Sequence, residues 1–447
     1  MLNSPSLREK APLLIAVSAT VFSLFLTYRG FFSLTQLATL AIAFLVCVLF
    51  TKVRTTFIWF CLAVTLGLSG ILAGSTAFGA VSLGQACSMF VLLFLLLRSE
   101  TLAASPLDKY PSLGSLGLIA IFVVSVIANP NSQVPKSWLV PLMLVLFAAQ
   151  KKSTTLPSAN TAMLVLQTCL LVFLSSDSLL AVSGKAFLTG NLFNSGRFLG
   201  QLGDYEISAE LYGLAAVIAM TSIATLPKEQ PKTIYFAILT MSLALLALTQ
   251  TRGPFIAGGV SLISFLILRQ RSRARAQRKN LLLTLTSVVF SIFLIANIGQ
   301  NLAARFANLD FENGFSRTIN RAGVWGYFTS LGSFKNVPLL GNGLNYPYEE
   351  IGTYPHSLYL WLIWTLGYVL SSGLIGLAAL LLIFLIRNYK ASRQFGGLCL
   401  VALLYFLVDE AKIEFTRSDS AILLFCGLGA LLVAGFRTEF VIDGDCN

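Results

Sequence analysis

The single histidine of the sequence stands where it could take part in proton transfer. His356 lies in the string Tyr354-Pro355-His356-Ser357, between a long polar connection and a long apolar run. Imidazole is the one side chain that ordinarily titrates near neutral pH, so it can act as a general base towards a hydroxyl group. An isolated histidine is often structural. Its position at the membrane boundary, at the end of the most polar loop, favours a functional role.

Two arginines are predicted to lie on the same face and at the same depth as this histidine. Arg197 precedes one apolar run, and Arg252 separates two others in the string Thr251-Arg252-Gly253-Pro254. A guanidinium offers a fixed fork of donors that suits a phosphate or diphosphate, and we expect this role for Arg252. The competing interpretation is that Arg252 reaches the lipid headgroups, as arginines at helix ends do.

Carboxylates accompany the first arginine. Asp204 and Glu206 stand at the predicted start of a helix, where the positive end of the helix dipole favours negative charge, and Glu210 lies about one turn further along. Asp204 could simply cap the helix. Glu210 is harder to explain in that way, because an ionisable group below the membrane surface is costly unless it is paired or lines a wet cavity.

The elements that position these residues are predicted to be transmembrane helices. Of the 447 residues, 56% are hydrophobic and only 11% are charged, whereas soluble proteins carry about a quarter charged residues. We therefore expect an all-α polytopic membrane protein of about 12–14 transmembrane helices, with residues 1–447 forming a single transmembrane domain. The predicted spans cover residues 11–28, 32–50, 55–72, 81–97, 113–128, 137–149, 158–175, 207–226, 233–250, 253–268, 281–298, 357–386, 395–408 and 419–436.

The basic residues predict the orientation. Lysine and arginine concentrate in cytoplasmic connections, and a cytoplasmic N-terminus places most of the 31 basic residues on that side, including the cluster within residues 269–279. The formal net charge of +12 is then a signal of topology. Nucleic-acid binding is disfavoured, because the basic cluster only links two predicted spans.

Two extracytoplasmic connections are predicted to be long, residues 176–206 and the large loop 299–356. Long connections tend to carry function, since the helices already supply stability. The large loop contains Arg321, Trp325 and several glycines, and we expect it to fold into short helices over the membrane domain. The seven cysteines and single histidine lack the spacing of a soft-ligand metal site, so no metal and no other cofactor is predicted.

The second half of the chain carries short strings in a characteristic order. They are Gly196-Arg197-Phe198 with Gly203-Asp204-Tyr205-Glu206; Thr251-Arg252-Gly253; Arg321 with Trp325; Pro338-Leu339-Leu340-Gly341-Asn342-Gly343; and His356-Ser357-Leu358-Tyr359, followed by Gly367 and Gly373-Leu374-Ile375-Gly376-Leu377. In order and spacing the set resembles the O-antigen ligase and O-antigen polymerase family of integral membrane glycosyltransferases. The chain departs from the family's common pattern at Ser357, where asparagine is usual, and at Thr251, where serine is usual.

The resemblance implies a fold, a reaction and a place in the cell. The fold would be that of the C-type glycosyltransferases, in a multi-pass protein of the bacterial cytoplasmic membrane whose active site faces outward. The donor would be a glycan on a polyprenyl diphosphate such as undecaprenyl diphosphate, and the acceptor a glycolipid (ligase) or another lipid-linked glycan (polymerase). The implied catalytic residue is His356, and the implied substrate-binding residues are Arg197, Arg252, Arg321, Asp204, Glu206 and Glu210.

A transporter or flippase of lipid-linked glycans is the alternative from another class. Such a protein would be expected to show internal repeats, broken helices near the midplane and cations along a central path. The sequence shows no clear repeat between its halves, and its conspicuous polar residues gather at one face. These features favour an enzyme, and they do not separate ligase from polymerase.

Overall fold

Apolar helices make up most of the structure. The computed structural model describes residues 55–73, 76–78, 81–82, 120–121, 123–125, 127–129, 158–183, 193–194, 197–225, 232–270, 337–343, 357–389, 394–411 and 418–444. In chain order the elements are α1 (Thr55–Gly67), α2 (Ser69–Ala73), β1 (Thr76–Phe78), β2 (Val81–Ser82), α3 (Ala159–Ser183), β3 (Phe193–Asn194), β4 (Arg197–Phe198), α4 (Tyr205–Thr225), α5 (Thr233–Thr249), α6 (Gly253–Gln270), α7 (Leu358–Asn388), α8 (Phe395–Asp409) and α9 (Asp419–Gly444).

Four helices in these ranges are long and apolar enough to cross a membrane. They lie within α3, α4, α7 and α9, while α5, α6 and α8 are shorter apolar helices. The described part of the chain is therefore mostly helical, as expected for an all-α membrane protein. The total of about 12–14 spans stays a prediction. The predicted spans 11–28, 32–50, 137–149 and 281–298 lie outside the described residues, as do most of 81–97, part of 113–128 and nearly all of the large loop 299–356.

Three sequence predictions need correction. The predicted span 55–72 is interrupted at Leu68, which separates α1 from α2. The predicted span at 81–97 does not begin as a helix, because Val81 and Ser82 pair with β1 in an antiparallel hairpin. The polar connection predicted from residue 176 starts later, since α3 continues to Ser183. Ser176 and Asp177 are hydrogen-bonded inside the protein and do not end the helix.

Helix α4 is the centre of the described bundle. Its residues from Glu206 to Ile223 are buried, and it packs against α5, α6 and α8. Helix α3 packs against α1, α5 and α9. Gly67 allows a close approach here, because a Cβ on it would lie 2.8 Å from the carbonyl oxygen of Cys169. Small residues at such contacts are the usual means by which membrane helices pack.

Hydrogen bonds at the helix termini define one end of the bundle. Lys232 Nζ donates to the Ile223 carbonyl at 2.8 Å, and the Tyr389 hydroxyl donates to the Leu268 carbonyl at 2.8 Å. The Glu439 carboxylate accepts from the backbone N–H of Gln394 at 2.9 Å. These contacts join α4 to α5, α6 to α7 and α8 to α9, and Gly397 of α8, which lies against Phe265 of α6 and Thr221 of α4, places the three pairs at the same end. We call this side the Glu439 end.

The opposite termini meet at what we call the Arg197 end. There the Leu358 N–H at the start of α7 donates to the Glu410 carbonyl after α8, at 2.9 Å. Ser420 Oγ at the start of α9 donates to the Ser69 carbonyl at 3.2 Å. Hairpin β3–β4 leads into α4 at this same end. The charge rule predicts that the Arg197 end faces outward.

Candidate functional site

A two-stranded hairpin presents Arg197. Strands β3 and β4 pair with Asn194 opposite Arg197 and Phe193 opposite Phe198. The Phe198 side chain is fully buried and anchors the hairpin, while Arg197 is half-buried. The guanidinium carbon of Arg197 lies 4.6 Å from the centre of the Tyr205 ring. Stacking uses the flat face of the guanidinium, so its N–H groups point sideways and can donate to an anion.

Asp204 caps the helix that follows. Its Oδ1 accepts from the backbone N–H of Glu206 at 2.8 Å and of Ile207 at 3.2 Å. This is the interaction expected of an N-cap carboxylate, and it accounts for Asp204 without a ligand. Its role in substrate binding stays a prediction, whereas its role in starting α4 beside Arg197 follows from the geometry.

Glu206 and Glu210 lie inside the bundle. Glu210 is fully buried, and Glu206 is 8% exposed. The Tyr405 hydroxyl of α8 lies 2.8 Å from the Glu210 carbonyl oxygen and 3.2 Å from Oδ2 of Asp409, close enough to donate to either. Asp409 and Glu410 are buried as well. Four buried carboxylates, two from the start of α4 and two from the end of α8 and the residue after it, therefore lie at the Arg197 end.

Arg252 occupies the tight turn between α5 and α6. Gln250 ends α5 in a left-handed conformation with φ of 53°, and its N–H donates to the Ala247 carbonyl. The Arg252 carbonyl then accepts from Phe255 N–H at 3.2 Å and so begins α6. The side chain of Arg252 is half-buried.

The first turn of α6 packs against the helices that carry the carboxylates. A Cβ on Gly213 of α4 would lie 2.7 Å from Cβ of Pro254 and would also collide with the Tyr405 hydroxyl. Pro254 follows Arg252 by two residues. The turn that bears Arg252 is thereby held one helical turn from Glu210 and next to Tyr405.

A buried hydrogen-bond network holds the loop between Arg197 and α4. Oδ1 of Asp177 accepts from Gln201 N–H at 2.8 Å, and Oδ2 of Asp177 accepts from the Tyr212 hydroxyl. The Gln201 side-chain amide donates to Ser176 Oγ at 2.9 Å. The same amide lies within bonding distance of the Gly67 and Phe173 carbonyls. Because α1, α3 and α4 all contribute, the loop after Arg197 is fixed from three sides.

Five of the seven predicted site residues lie at one end of the described bundle, and their role in a common site stays a prediction. Arg197, Asp204, Glu206, Glu210 and Arg252 all lie at the Arg197 end. Arg321 and His356 lie outside the described residues. Ser357 and Leu358, which follow His356 in the chain, lie beside Glu410 at this same end.

Five further polar residues of this region are not among the predicted site residues. They are Asp177, Gln201, Tyr405, Asp409 and Glu410. Asp177 falls within the predicted connection 176–206, where the polar string Ser175-Ser176-Asp177 follows a predicted span. Asp409 and Glu410 carried a usable signal, since two adjacent carboxylates follow the predicted span 395–408 on the face of the other candidate residues.

The chemistry available here is anion binding beside buried carboxylates. Two half-buried guanidiniums come from separate connections, and the buried carboxylates of Glu206, Glu210, Asp409 and Glu410 lie at the same end of the bundle. Within the described ranges, no group of three or more His, Cys, Asp or Glu side chains is arranged to hold a metal ion. Comparison with known proteins adds no assignment, because no family model matches the sequence and no curated protein is similar to it.

Proposed function

We propose that the protein transfers a glycan from a polyprenyl-diphosphate-linked donor to an acceptor hydroxyl at the outer face of the bacterial cytoplasmic membrane. The motif resemblance supports this proposal. So does one structural observation: Arg197 and Arg252, from different connections, lie at the same end of a membrane helix bundle as the buried carboxylates and the start of α7. The proposal includes a C-type glycosyltransferase fold and an acceptor that is a glycolipid or another lipid-linked glycan.

In this mechanism Arg197 and Arg252 bind the two phosphates of the donor. The acceptor oxygen forms a bond to the anomeric carbon, and the bond from that carbon to the diphosphate oxygen breaks. The polyprenyl diphosphate leaves with the electron pair, and the hydroxyl proton passes to the imidazole of His356. The guanidiniums stabilise the negative charge that grows on the leaving group. Diphosphate is already a good leaving group, so two fixed cations can serve in place of a metal.

The carboxylates have a supporting role. Glu206 and Glu210 lie on the first two turns of α4, between the segments that carry the two arginines. A carboxylate can orient a guanidinium through paired hydrogen bonds, and it can accept a hydrogen bond from a sugar hydroxyl. We assign Arg321 to the same donor site on the strength of the motif that contains it.

The test is transfer by purified protein in proteoliposomes that contain lipid-linked donor and acceptor. We expect Arg252→Ala to lower kcat by about 100-fold, the usual cost of losing one donor to a developing charge. His356→Ala should reduce transfer at least as much. Arg387→Ala is the matched control, because Arg387 is an exposed arginine in the last turn of α7 at the Glu439 end. Equal activity in all three variants would refute the assignment.

One observation favours the transporter alternative. Helix α7 is broken at Gly367, where φ is 69° and ψ is 178°, and broken helices are typical of transporters. The backbone groups beside this break are bonded to another segment of the chain, which is not expected of a substrate path. A flippase would move labelled donor between leaflets without forming a glycosidic bond, so analysis of the product separates the two functions.

A further inference from the structure

The break in α7 leaves backbone groups without partners in their own helix at membrane depth. Gly367 is nine residues from the start of the helix, which corresponds to about 14 Å. A helix interrupted there loses hydrogen bonds between successive turns. Inside a bilayer each unsatisfied backbone group costs several kcal/mol, so the freed groups need partners from elsewhere in the protein. The residues that provide those partners decide how the two halves of α7 are held.

The string Pro338-Leu339-Leu340-Gly341-Asn342-Gly343 provides them. It crosses α7 at the break and bonds to both of its halves. The bonds are Asn342 N–H to the Trp364 carbonyl at 3.0 Å, Asn342 Nδ2 to the same carbonyl at 3.2 Å, Gly343 N–H to the Thr365 carbonyl at 2.9 Å, and Val369 N–H to the Leu339 carbonyl at 3.2 Å. We call this string the bracing segment.

Two glycines make the crossing possible. Gly341 has φ of 80°, and Gly367 has φ of 69°, both in the left-handed region that favours glycine. A Cβ on Gly341 would collide with the backbone of Thr365 and Gly367. A Cβ on Gly367 would collide with the backbone of Gly341 and Leu339. The two chains therefore touch backbone to backbone, and any side chain at either position would force them apart.

The first half of α7 is held at both of its ends. At its start, Leu358 N–H donates to the Glu410 carbonyl, and the Tyr359 hydroxyl donates to the Leu407 carbonyl at 2.6 Å. At its other end stand the bonds to the bracing segment. The second half of α7 is largely exposed, as expected of a lipid-facing helix. The buried half is therefore fixed at both ends by contacts within the protein, and the second half is bonded to the bracing segment through Val369.

We infer that the bracing segment positions the catalytic end of α7. His356 stands two residues before Leu358 in the chain, so the placement of residues 358–366 fixes the point from which the chain continues to the histidine. Gly341 and Asn342 are then positioning residues for the transfer reaction, acting through α7 and not by contact with substrate. This inference rests on the proposed function. It adds that the string Pro338–Gly343 contributes to the rate because it braces a broken helix.

The test compares Gly341→Ala with Gly376→Ala. Gly376 lies in the exposed half of α7, and a Cβ there would meet no atom within 4 Å. We expect Gly341→Ala to lower kcat by about tenfold or more, since a shift of about 1 Å in a reacting group can cost 100-fold, while the KM for the donor stays within about twofold. Gly376→Ala should leave both constants unchanged. The midpoint of the acidic limb of the pH–rate profile should shift in Gly341→Ala and not in Gly376→Ala. A loss of folded protein alone would lower the height of the profile and leave this midpoint unchanged.

A milder variant and a structural readout complete the experiment. Asn342→Ala removes one side-chain bond and keeps the backbone bonds, so it should fold and lower kcat by about threefold to tenfold. Hydrogen–deuterium exchange of the backbone amides in residues 358–371 should be faster in Gly341→Ala and in Asn342→Ala than in the wild-type protein. Unchanged exchange, or quickened exchange with kcat and the pH profile unchanged, overturns the inference. If the wild-type protein transfers no glycan, the proposed function fails, whereas the exchange result still decides whether this segment braces α7.

Discussion

Replacing Gln201 by leucine removes the side chain that holds the loop after Arg197. The amide nitrogen has two hydrogens, so at most two of its contacts with Ser176 Oγ, the Phe173 carbonyl and the Gly67 carbonyl count as full bonds. The amide oxygen also accepts weakly from Ile71 N–H at 3.4 Å. Leucine has a similar volume, so the cavity that the change leaves is small.

The magnitude follows from these bonds. Hydrogen bonds between membrane helices contribute about 0.6 kcal/mol on average and up to about 1.7 kcal/mol. Two bonds at about 1 kcal/mol, with a further 1 kcal/mol or so for the Ile71 N–H left without its acceptor, give a loss of about 2–3 kcal/mol. The backbone bond from Gln201 to Asp177 survives the substitution, so the loop should loosen without detaching.

Gln167→Leu is the matched control for this substitution. Gln167, which lies on α3, is a buried glutamine like Gln201, at 7% exposure against 5%. Its side-chain oxygen has no hydrogen-bond partner in the described structure, and its amide group has one neighbouring hydroxyl, that of Tyr235, against the several partners of Gln201. The same change at Gln167 should therefore alter the free energy of unfolding by less than about 1 kcal/mol. The difference between the two variants isolates the contribution of the Gln201 bonds.

The assay is unfolding in mixed micelles by titration with a denaturing detergent, followed by donor kinetics on the folded protein. Gln201→Leu should unfold more easily than Gln167→Leu, and its donor KM should rise because Arg197 is less well placed. Equal free energies of unfolding for the two variants, within about 0.5 kcal/mol, would refute the reasoning.

Three further substitutions test other contacts. Tyr205→Leu removes the ring beneath Arg197, whose cation–π interaction contributes about 0.5–1 kcal/mol, so the donor KM should rise by about threefold. Tyr205→Phe keeps an aromatic ring and should keep the wild-type KM. Equal KM values for the two variants would contradict a role for stacking. Asp204→Ala should reduce the free energy of unfolding by about 1 kcal/mol, and Asp204→Asn should reduce it by much less because asparagine still caps the helix. Equal losses of stability in denaturant titrations would count against capping. Gly213→Ala should reduce the free energy of unfolding by about 1–3 kcal/mol in the same titration, since the new Cβ meets Tyr405 and Pro254. A Cβ at Gly259 on α6 would meet no atom within 4 Å, so Gly259→Ala should leave the free energy of unfolding unchanged. Equal free energies of unfolding for the two variants would exclude the close contact at Gly213.

Much of the helical organisation was predictable from the sequence. Runs of apolar residues at least close to the length that a bilayer requires place α3, α4, α7 and α9 to within a few residues at most ends. The end of α3 was less predictable. Ser176 and Asp177 are polar, and nothing nearby in the sequence shows that Gln201 and Tyr212 bond to them inside the bundle. Pairing between distant residues overrides the local signal.

The candidate site was predictable in part. The shared face of Arg197, Asp204 and Arg252 follows from counting spans between them, and the structure places these residues at one end. The break at Gly367 was not predictable, because a glycine in an apolar run is tolerated within helices and does not by itself indicate a kink. The break depends on the bracing segment, which lies more than twenty residues earlier in the chain. The pairing of Tyr405 with the Glu210 carbonyl is likewise a contact between distant residues.

The most direct measurement of the central claim is the fate of a labelled lipid-linked glycan after incubation with purified protein and an acceptor in proteoliposomes. We predict a product with a new glycosidic bond, together with released polyprenyl diphosphate, and its loss when Arg197 and Arg252 are both replaced by alanine. Donor that crosses the bilayer intact, or undiminished transfer by the double variant, would contradict the proposal that these two arginines hold the diphosphate of a glycosyl donor.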